Sequence, residues 1–167
     1  TVALDGRFGS CTVQAYVQSG YVEHAGVENL RCESTFDAAN PLDEQHAWNA
    51  IDLHAASDVW VADVTAVHFA GSAVQVGAKV ARATVQDCAA LAPVSERGGY
   101  RRMAFHTRGQ QTLFLRCTSE QGGNDFTVGY LAAGPNVFLN CTAQETRGFS
   151  GAVGSWASGL LFDGRLI

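Results

Sequence analysis

The sequence predicts an all-β chain folded as a parallel β-helix, a solenoid in which each coil adds one strand to stacks of parallel strands. A short pattern recurs about once every two dozen residues, and such a period is typical of stacked-repeat folds. Apolar and β-branched residues alternate with polar ones inside each copy, which indicates strand rather than helix. The copies occupy residues 28–32, 60–65, 84–88, 114–118 and 138–142, with a weaker one at 161–164.

One position of this pattern is expected to face inward in every coil. It falls at Cys32, Val64, Cys88, Cys117, Cys141 and Gly164. Equivalent residues of neighbouring coils lie about 4.8 Å apart, and stacked in-register side chains suit disulfide geometry poorly. We therefore expect the last three cysteines of the series to be free thiols in one buried column with Val64. No two cysteines have the close spacing of a zinc site, so no metal site is predicted.

A second, shorter strand precedes most copies by about ten to thirteen residues. These strands are predicted at residues 51–53, 73–76, 104–106, 126–129 and 152–154. The nearly constant offset indicates a common coil made of strand, turn, strand and a connection of variable length. About five to seven coils are expected, and residues 1–167 are read as a single domain.

Composition narrows the classes of function. The chain has 167 residues, 47% of them hydrophobic, which is enough for one domain with a real core. Its net charge of −5 argues against a nucleic-acid-binding surface, which would need a basic excess. No apolar run approaches the roughly 18 residues that a membrane span requires, so none is predicted.

Segments 58–65 and 136–142 resemble the repeats of right-handed parallel β-helices of the pectate-lyase-like superfamily. The resemblance extends over roughly residues 26–167. It implies a carbohydrate-active protein that is secreted or on the cell surface, since the superfamily includes polysaccharide lyases, glycoside hydrolases, carbohydrate esterases and viral tail proteins. Calcium is implied as a cofactor by the resemblance alone, and no contiguous cluster of aspartates marks a site for it, so the cofactor stays unknown.

A row of polar side chains is expected on the outer face of the shorter strands. Alternation points Asp52, Gln75, His106 and Thr127 outward. His106 is the best candidate for a catalytic base because its ordinary pKa lies near neutrality. Asp52 would orient it or act as a partner acid from two coils away, near 10 Å. The alternative is a solvated β face whose polar residues have no further role.

Two long connections, 34–48 and 89–102, are expected to rise beside this row and to build a binding site. The second of them contains Arg97, Tyr100, Arg101 and Arg102, and Arg108 is nearby in sequence. Guanidinium groups bind carboxylates and sulfates through paired hydrogen bonds, which suits an acidic polysaccharide. The resemblance to polysaccharide lyases further implies an arginine base, for which Arg101 is the candidate.

Each of these assignments has an alternative. The arginines could instead pair with Glu96, Glu120 or Asp125 and fix the connection. Trp48 and Tyr100 could stack on sugar rings or simply fill their corners.

The leading hypothesis is an enzyme acting on an acidic polysaccharide, either a lyase or a glycoside hydrolase. The alternative is a non-catalytic β-helix for glycan binding, adhesion or a tail-spike-like structural role. Residues 158–167 read as a coil cut short. We therefore expect either end-to-end self-association or the remainder of a longer chain to cover that end.

Overall fold

The computed structural model describes residues 19–164, which form fifteen β-strands and no helix. Cys11 lies outside these residues. The strands are β1 Val22–Glu23, β2 Gly26–Glu33, β3 Asn49–Leu53, β4 Ala56–Val67, β5 Ser72–Val76, β6 Val80–Gln86, β7 Ala89–Leu91, β8 Phe105–Thr107, β9 Gln110–Leu115, β10 Thr118–Glu120, β11 Phe126–Val128, β12 Asn136–Leu139, β13 Thr142–Gln144, β14 Gly151–Ala152 and β15 Leu160–Asp163. Within this part of the chain no helix has the length and hydrophobicity needed to span a membrane.

The strands form two sheets in which every pairing is parallel. The larger sheet has the order β13-β10-β7-β4-β6-β9-β12-β15, and β1 and β2 also pair with β4. The long strand β4 joins two ladders, because its first half pairs with β6 and its last residues pair with β7. The smaller sheet has the order β14-β11-β8-β5-β3.

Each strand pairs with the equivalent strand of the next repeat. Val61 pairs with Val85, Val85 with Phe114, and Phe114 with Phe138. The prediction of an all-β chain with parallel strands is therefore confirmed, and the arrangement is compatible with a parallel β-helix.

Stacked phenylalanines fill the core between the sheets. Phe138 lies between Phe114 and Phe162, with ring centroids 4.6 and 4.8 Å away and the planes nearly parallel. Phe105 and Phe126 stack in the same way at 5.4 Å, and Phe105 meets Phe114 edge to face at 6.2 Å. The stacking follows from the register, because parallel strands about 4.8 Å apart place equivalent rings one above the other.

The predicted column of thiols is confirmed in the described part of the chain. The pairings of Thr118 with Ala89 and Thr142 place Cys88, Cys117 and Cys141 in adjacent positions. All three are buried and none forms a disulfide. Each thiol lies within hydrogen-bonding distance of a backbone carbonyl of the preceding repeat. The small sulfur groups thus act as core filler.

The predicted alignment is wrong at its two ends. Leu30, not Cys32, pairs with Val64, and Cys32 pairs with Ala66 two residues further along. At the other end Leu139 pairs with Asp163, which aligns Gly164 with Asn140 rather than with Cys141.

A left-handed backbone conformation marks the repeat better than the cysteines do. Residues with positive φ immediately precede the inward position in five repeats: Asn29, Asp63, Asp87, Arg116 and Asn140. Gly164, level with Asn140, also has positive φ. A second column of the same kind includes Asp58, Arg82 and Gln111. These residues bend the chain at the corners. Arg82 donates to both carboxylate oxygens of Asp58 at 2.6 and 2.7 Å and so links two neighbouring corners.

Candidate functional site

A cleft of about 460 Å³ lies over the outer face of the smaller sheet. It is lined by Trp48, Asn49, Gly71, Ser72, Gln75, Tyr100, Met103, His106, Arg108, Gly129, Tyr130 and Val153. The register aligns Asp52 with Gln75, Gln75 with His106, and His106 with Thr127, as expected for one outward row. The structure thus brings Trp48, Gln75, Tyr100, His106 and Arg108 of the predicted site into one cleft.

The floor of the cleft has a short chain of polar side chains. The Asn49 amide donates weakly to Gln75 Oε1 and to Asp52 Oδ2, each at 3.4 Å. Asp52 Oδ1 lies 3.2 Å from His54 Nε2 at the margin of the sheet. Gln75 separates Asp52 from His106, so Asp52 does not orient the His106 ring directly.

His106 is half-buried and held from one side. Its Nδ1 lies 2.8 Å from the Thr127 hydroxyl. A Cβ at Gly129 would lie only 2.9 Å from His106 Nε2, so glycine at this position leaves the ring its room. Burial, with a contribution from the nearby positive charge of Arg108, lowers the pKa of His106 to about 4. The ring is therefore neutral at pH 7 and is a weak base.

Arg108 supplies an uncompensated positive charge to the cleft. Its side chain is exposed, and no carboxylate among residues 19–164 forms an ion pair with it. Tyr100 is 75% exposed and Tyr130 is 50% exposed, so neither ring serves mainly to fill a corner. The cleft thus combines a free guanidinium with accessible aromatic rings.

Arg101, predicted as a catalytic residue, forms an ion pair with Glu44. Its Nη2 donates to Glu44 Oε2 at 3.0 Å, and its Nε donates to Glu44 Oε1. The arginine holds the pKa of Glu44 below its ordinary value. The guanidinium also lies 6.0 Å from the ring centroid of Trp48, within cation–π distance. This pairing joins the two long connections, and the partner is Glu44 rather than Glu96, Glu120 or Asp125.

Arg97 and Arg102, predicted to bind substrate, lie outside the cleft. Arg102 is buried, with Nε 3.2 Å from Ser95 Oγ and Nη2 donating to the Ser95 carbonyl at 2.7 Å. Arg97 and Arg102 line a separate pocket together with Arg147. The structure therefore divides the predicted arginine group among three places.

The other long connection, 34–48, is held by its own polar side chains. Asp43 accepts hydrogen bonds from the amides of Asp37 and Gln45, both at 2.9 Å, and these bonds lower its pKa. His46 Nε2 donates to the Val94 carbonyl at 2.9 Å, so Nδ1 accepts the hydrogen bond from the Ser34 hydroxyl at 2.8 Å. These contacts fix the connection in place.

Several residues that line the cleft were not predicted from the sequence. Asn49 and Tyr130 flank predicted strands, and Met103 lies just before one. Their positions could have indicated them. When stacked strands are in register, residues at the strand ends lie close together on the same side of the sheet. Arg147 is missed for a different reason, because it follows β13 in a corner without any predicted role.

Within residues 19–164 no group of three or more His, Cys, Asp or Glu side chains could hold a metal ion. The cleft itself offers amide, hydroxyl, imidazole and guanidinium groups. Its chemistry is therefore that of a hydrogen-bonding and cationic surface.

No protein-family model matches the chain, and no curated protein or solved structure shows significant similarity to it. The resemblance to the pectate-lyase-like superfamily accordingly stays a prediction. In residues 19–164, the structure shows two β-sheets of parallel strands, with a polar cleft lined by aromatic residues over the smaller sheet.

Proposed function

We propose that the protein binds an acidic polysaccharide in the cleft over the smaller sheet. The observation that carries this proposal is that exposed aromatic rings and the unpaired Arg108 line the same cleft as the polar side chains Gln75 and His106. Gln75 and His106 lie on neighbouring strands, about 4.8 Å apart, so a polymer that crosses these strands could contact both side chains.

The aromatic and amide groups suit sugar rings. Tyr100, Tyr130 and the partly exposed Trp48 provide apolar ring faces with polar tips. Asn49 and Gln75 provide amide donors and acceptors whose mutual hydrogen bond is long, at 3.4 Å. Sugar hydroxyls can therefore replace that weak contact with stronger ones.

The charge of the cleft favours an acidic polymer. Arg108 is the cation without an ion-pair partner there, whereas Arg101 is neutralised by Glu44. None of the residues lining the cleft is an Asp or a Glu. A uronate carboxylate beside Arg108 would gain a charge-assisted hydrogen bond without opposing repulsion.

The two stacks of parallel strands also support a proposal about the fold. We infer a right-handed parallel β-helix of the pectate-lyase-like type with about five to seven coils, supported by two stacks of parallel strands in regular register. A polysaccharide ligand would place the protein outside the cell or on its surface. Self-association through an end stays a prediction.

Lyase activity is the second candidate function, favoured by His106 and Arg108 in one cleft. Arg108 would hold a uronate carboxylate while neutral His106 accepts a proton from the adjacent carbon. The C–H electron pair would form a double bond as the bond from the next carbon to the glycosidic oxygen breaks, and the leaving oxygen would take a proton from solvent. A pKa near 4 makes His106 a weak base, which is why binding is preferred over catalysis. Glycoside hydrolysis would need two carboxylates flanking the bond, and the described residues that line the cleft include none.

Affinity electrophoresis or calorimetry with uronic-acid polysaccharides tests the binding proposal. The wild-type protein is expected to bind a polyuronate more tightly than a neutral glucan. Tyr100→Ala and Arg108→Gln should each weaken binding by roughly tenfold, the effect of about 1.4 kcal/mol. Phe149→Ala and Arg31→Gln are matched controls, because both side chains are exposed outside the cleft. Binding to no polysaccharide would instead favour a structural role.

The lyase candidate is tested by following unsaturated products from the same polymers. His106→Ala should lower turnover by roughly a hundredfold while polymer affinity changes little. Wild-type protein that binds the polymer without forming unsaturated product would leave binding as the function.

A further inference from the structure

Three arginines share a pocket in which no carboxylate balances their charge. The pocket, about 260 Å³ in volume, is lined by Arg97, Arg102, Arg147, Asn124 and four glycines. Its walls come from three connections, those between β7 and β8, β10 and β11, and β13 and β14. Among residues 19–164 no ion pair involves any of the three arginines.

The buried member of the group makes this arrangement informative. Arg102 is only 7% exposed, and its guanidinium donates to neutral oxygens of Ser95. Burial and the like charges of Arg97 and Arg147 lower the pKa of Arg102. A buried guanidinium is ordinarily paired with an anion, because desolvating an uncompensated charge costs several kcal/mol.

The backbone keeps the pocket open and its position fixed. The amides of Gly123 and Asn124 donate to the Arg102 carbonyl at 2.9 and 3.2 Å, and the Arg147 amide donates to the Gly122 carbonyl at 3.1 Å. A Cβ at Gly148 would lie 1.9 Å from the Gly123 carbonyl oxygen, so the neighbouring corners approach as closely as glycine allows. Arginines from the first and third of these connections are thereby held around one space.

We propose that this pocket binds a tetrahedral oxyanion, sulfate or phosphate, either as the free ion or as an ester on a larger molecule. Such an ion has four oxygens and up to two negative charges, so it can accept hydrogen bonds from several guanidinium groups at once. A single carboxylate has two oxygens and one charge and would leave more of the cationic pocket uncompensated. The site is separate from the cleft, since the two share no lining residue.

Thermal unfolding and calorimetry with sodium sulfate and sodium phosphate test the site, at constant ionic strength balanced with chloride. The wild-type protein is expected to bind either oxyanion saturably and to show a higher Tm than in chloride. Arg97→Gln and Arg147→Gln should each weaken the affinity by roughly tenfold or more, the loss of one charge-assisted contact. Both side chains are exposed, so the variants keep the fold and avoid the risk that replacing buried Arg102 carries.

Controls separate this site from general salt effects and from the cleft. Sulfate stabilises most proteins weakly by exclusion from their surface, and that effect should persist in the double variant Arg97→Gln/Arg147→Gln. Arg31→Gln and Arg108→Gln should bind sulfate as the wild type does. Equal Tm shifts in the wild type and the double variant, or equal losses in Arg31→Gln, would overturn the proposal.

Glucose 6-sulfate and glucose 6-phosphate distinguish the sources of the oxyanion. Ester binding at least as tight as that of the inorganic ions, and sensitive to the same two substitutions, would support an ester on a larger ligand. Exclusion of both esters with retained binding of the inorganic ions would support a site for the free ion.

Discussion

Arg116 donates to both carboxylate oxygens of Asp87, with Nε to Oδ1 at 2.7 Å and Nη2 to Oδ2 at 2.6 Å. Both residues have positive φ and occupy equivalent corners of neighbouring repeats. The ion pair therefore connects two backbone bends that recur through the fold, as the pair of Asp58 and Arg82 does one corner away.

Arg116→Gln should raise the pKa of Asp87 toward its ordinary value of 3.8, because the arginine is the main cause of its lowering. A lowered folded-state pKa contributes stability above the unfolded-state value, and the contribution is lost as pH falls through the folded-state value. NMR titration of the carboxyl groups measures the shift. Arg82→Gln is the control, since it should release Asp58 and leave Asp87 unchanged; the reverse result would contradict this prediction.

The free energy of unfolding should fall as pH drops from about 6.5 to about 4. The ordinary pKa of histidine is 6.5, whereas burial lowers that of His106 to about 4. Between these values the unfolded chain binds a proton that the folded chain does not, so acid favours unfolding. His106→Gln should flatten the slope over this range in denaturant titrations. His54→Gln, at an exposed position, serves as the control, and equal slopes in all three proteins would exclude His106 as the cause.

Asn136→Ala should lower the free energy of unfolding by about 3 kcal/mol. The buried Asn136 amide accepts from the Thr112 amide at 3.0 Å and donates to the carbonyls of Gly109 and Ala133 at 3.1 and 3.3 Å. Removing the side chain leaves buried groups without partners. Urea unfolding measures the loss, and Gln110→Ala, on an exposed side chain, should change the stability by less than about 0.5 kcal/mol.

The thiols of Cys88, Cys117 and Cys141 should be unreactive in the folded protein and free in the unfolded one. All three are buried, whereas Cys32 is half-buried and should react first. Alkylation without reductant, before and after unfolding, followed by peptide mapping assigns each thiol. Fewer than three reactive thiols among these positions after unfolding would contradict the column of free cysteines.

The alternation of apolar and polar residues was enough to predict which side chains of the smaller sheet face the core and which face outward. Val74, Phe105 and Val128 point into the core and His106 lies outside, because successive side chains of a strand take opposite faces. The alignment predicted at Cys32 is wrong because the repeat is set by where the backbone bends and not by the recurrence of cysteine. The left-handed residue that marks the bend is an Asn, Asp, Arg or Gly, and no single side chain identifies it.

The arginines show where sequence proximity misleads. Arg101 and Arg102 are adjacent, yet one pairs with Glu44 and the other is buried against Ser95. Arg102 has a left-handed backbone conformation, with φ of 52°, so its side chain does not follow the direction of the Arg101 side chain. Glu44 and Arg101, 57 residues apart in sequence, meet only through the repeat geometry. Arg147 and Arg97 share a pocket although they lie two repeats apart, because the connections of three consecutive repeats lie side by side.

The surface segment 96–101 contributes Tyr100 to the cleft and Arg97 to the arginine pocket, while the strands on either side are aligned by other pairs. Leu91 is matched to Val67, and Phe105 is matched to Val74 and Phe126. The entropic cost of closing a loop rises only slowly as the loop becomes longer. This segment therefore tolerates replacement more readily than the paired strands do. Replacing this one segment can therefore change which ligands the cleft and the arginine pocket prefer. The paired strands that form the scaffold would stay as they are.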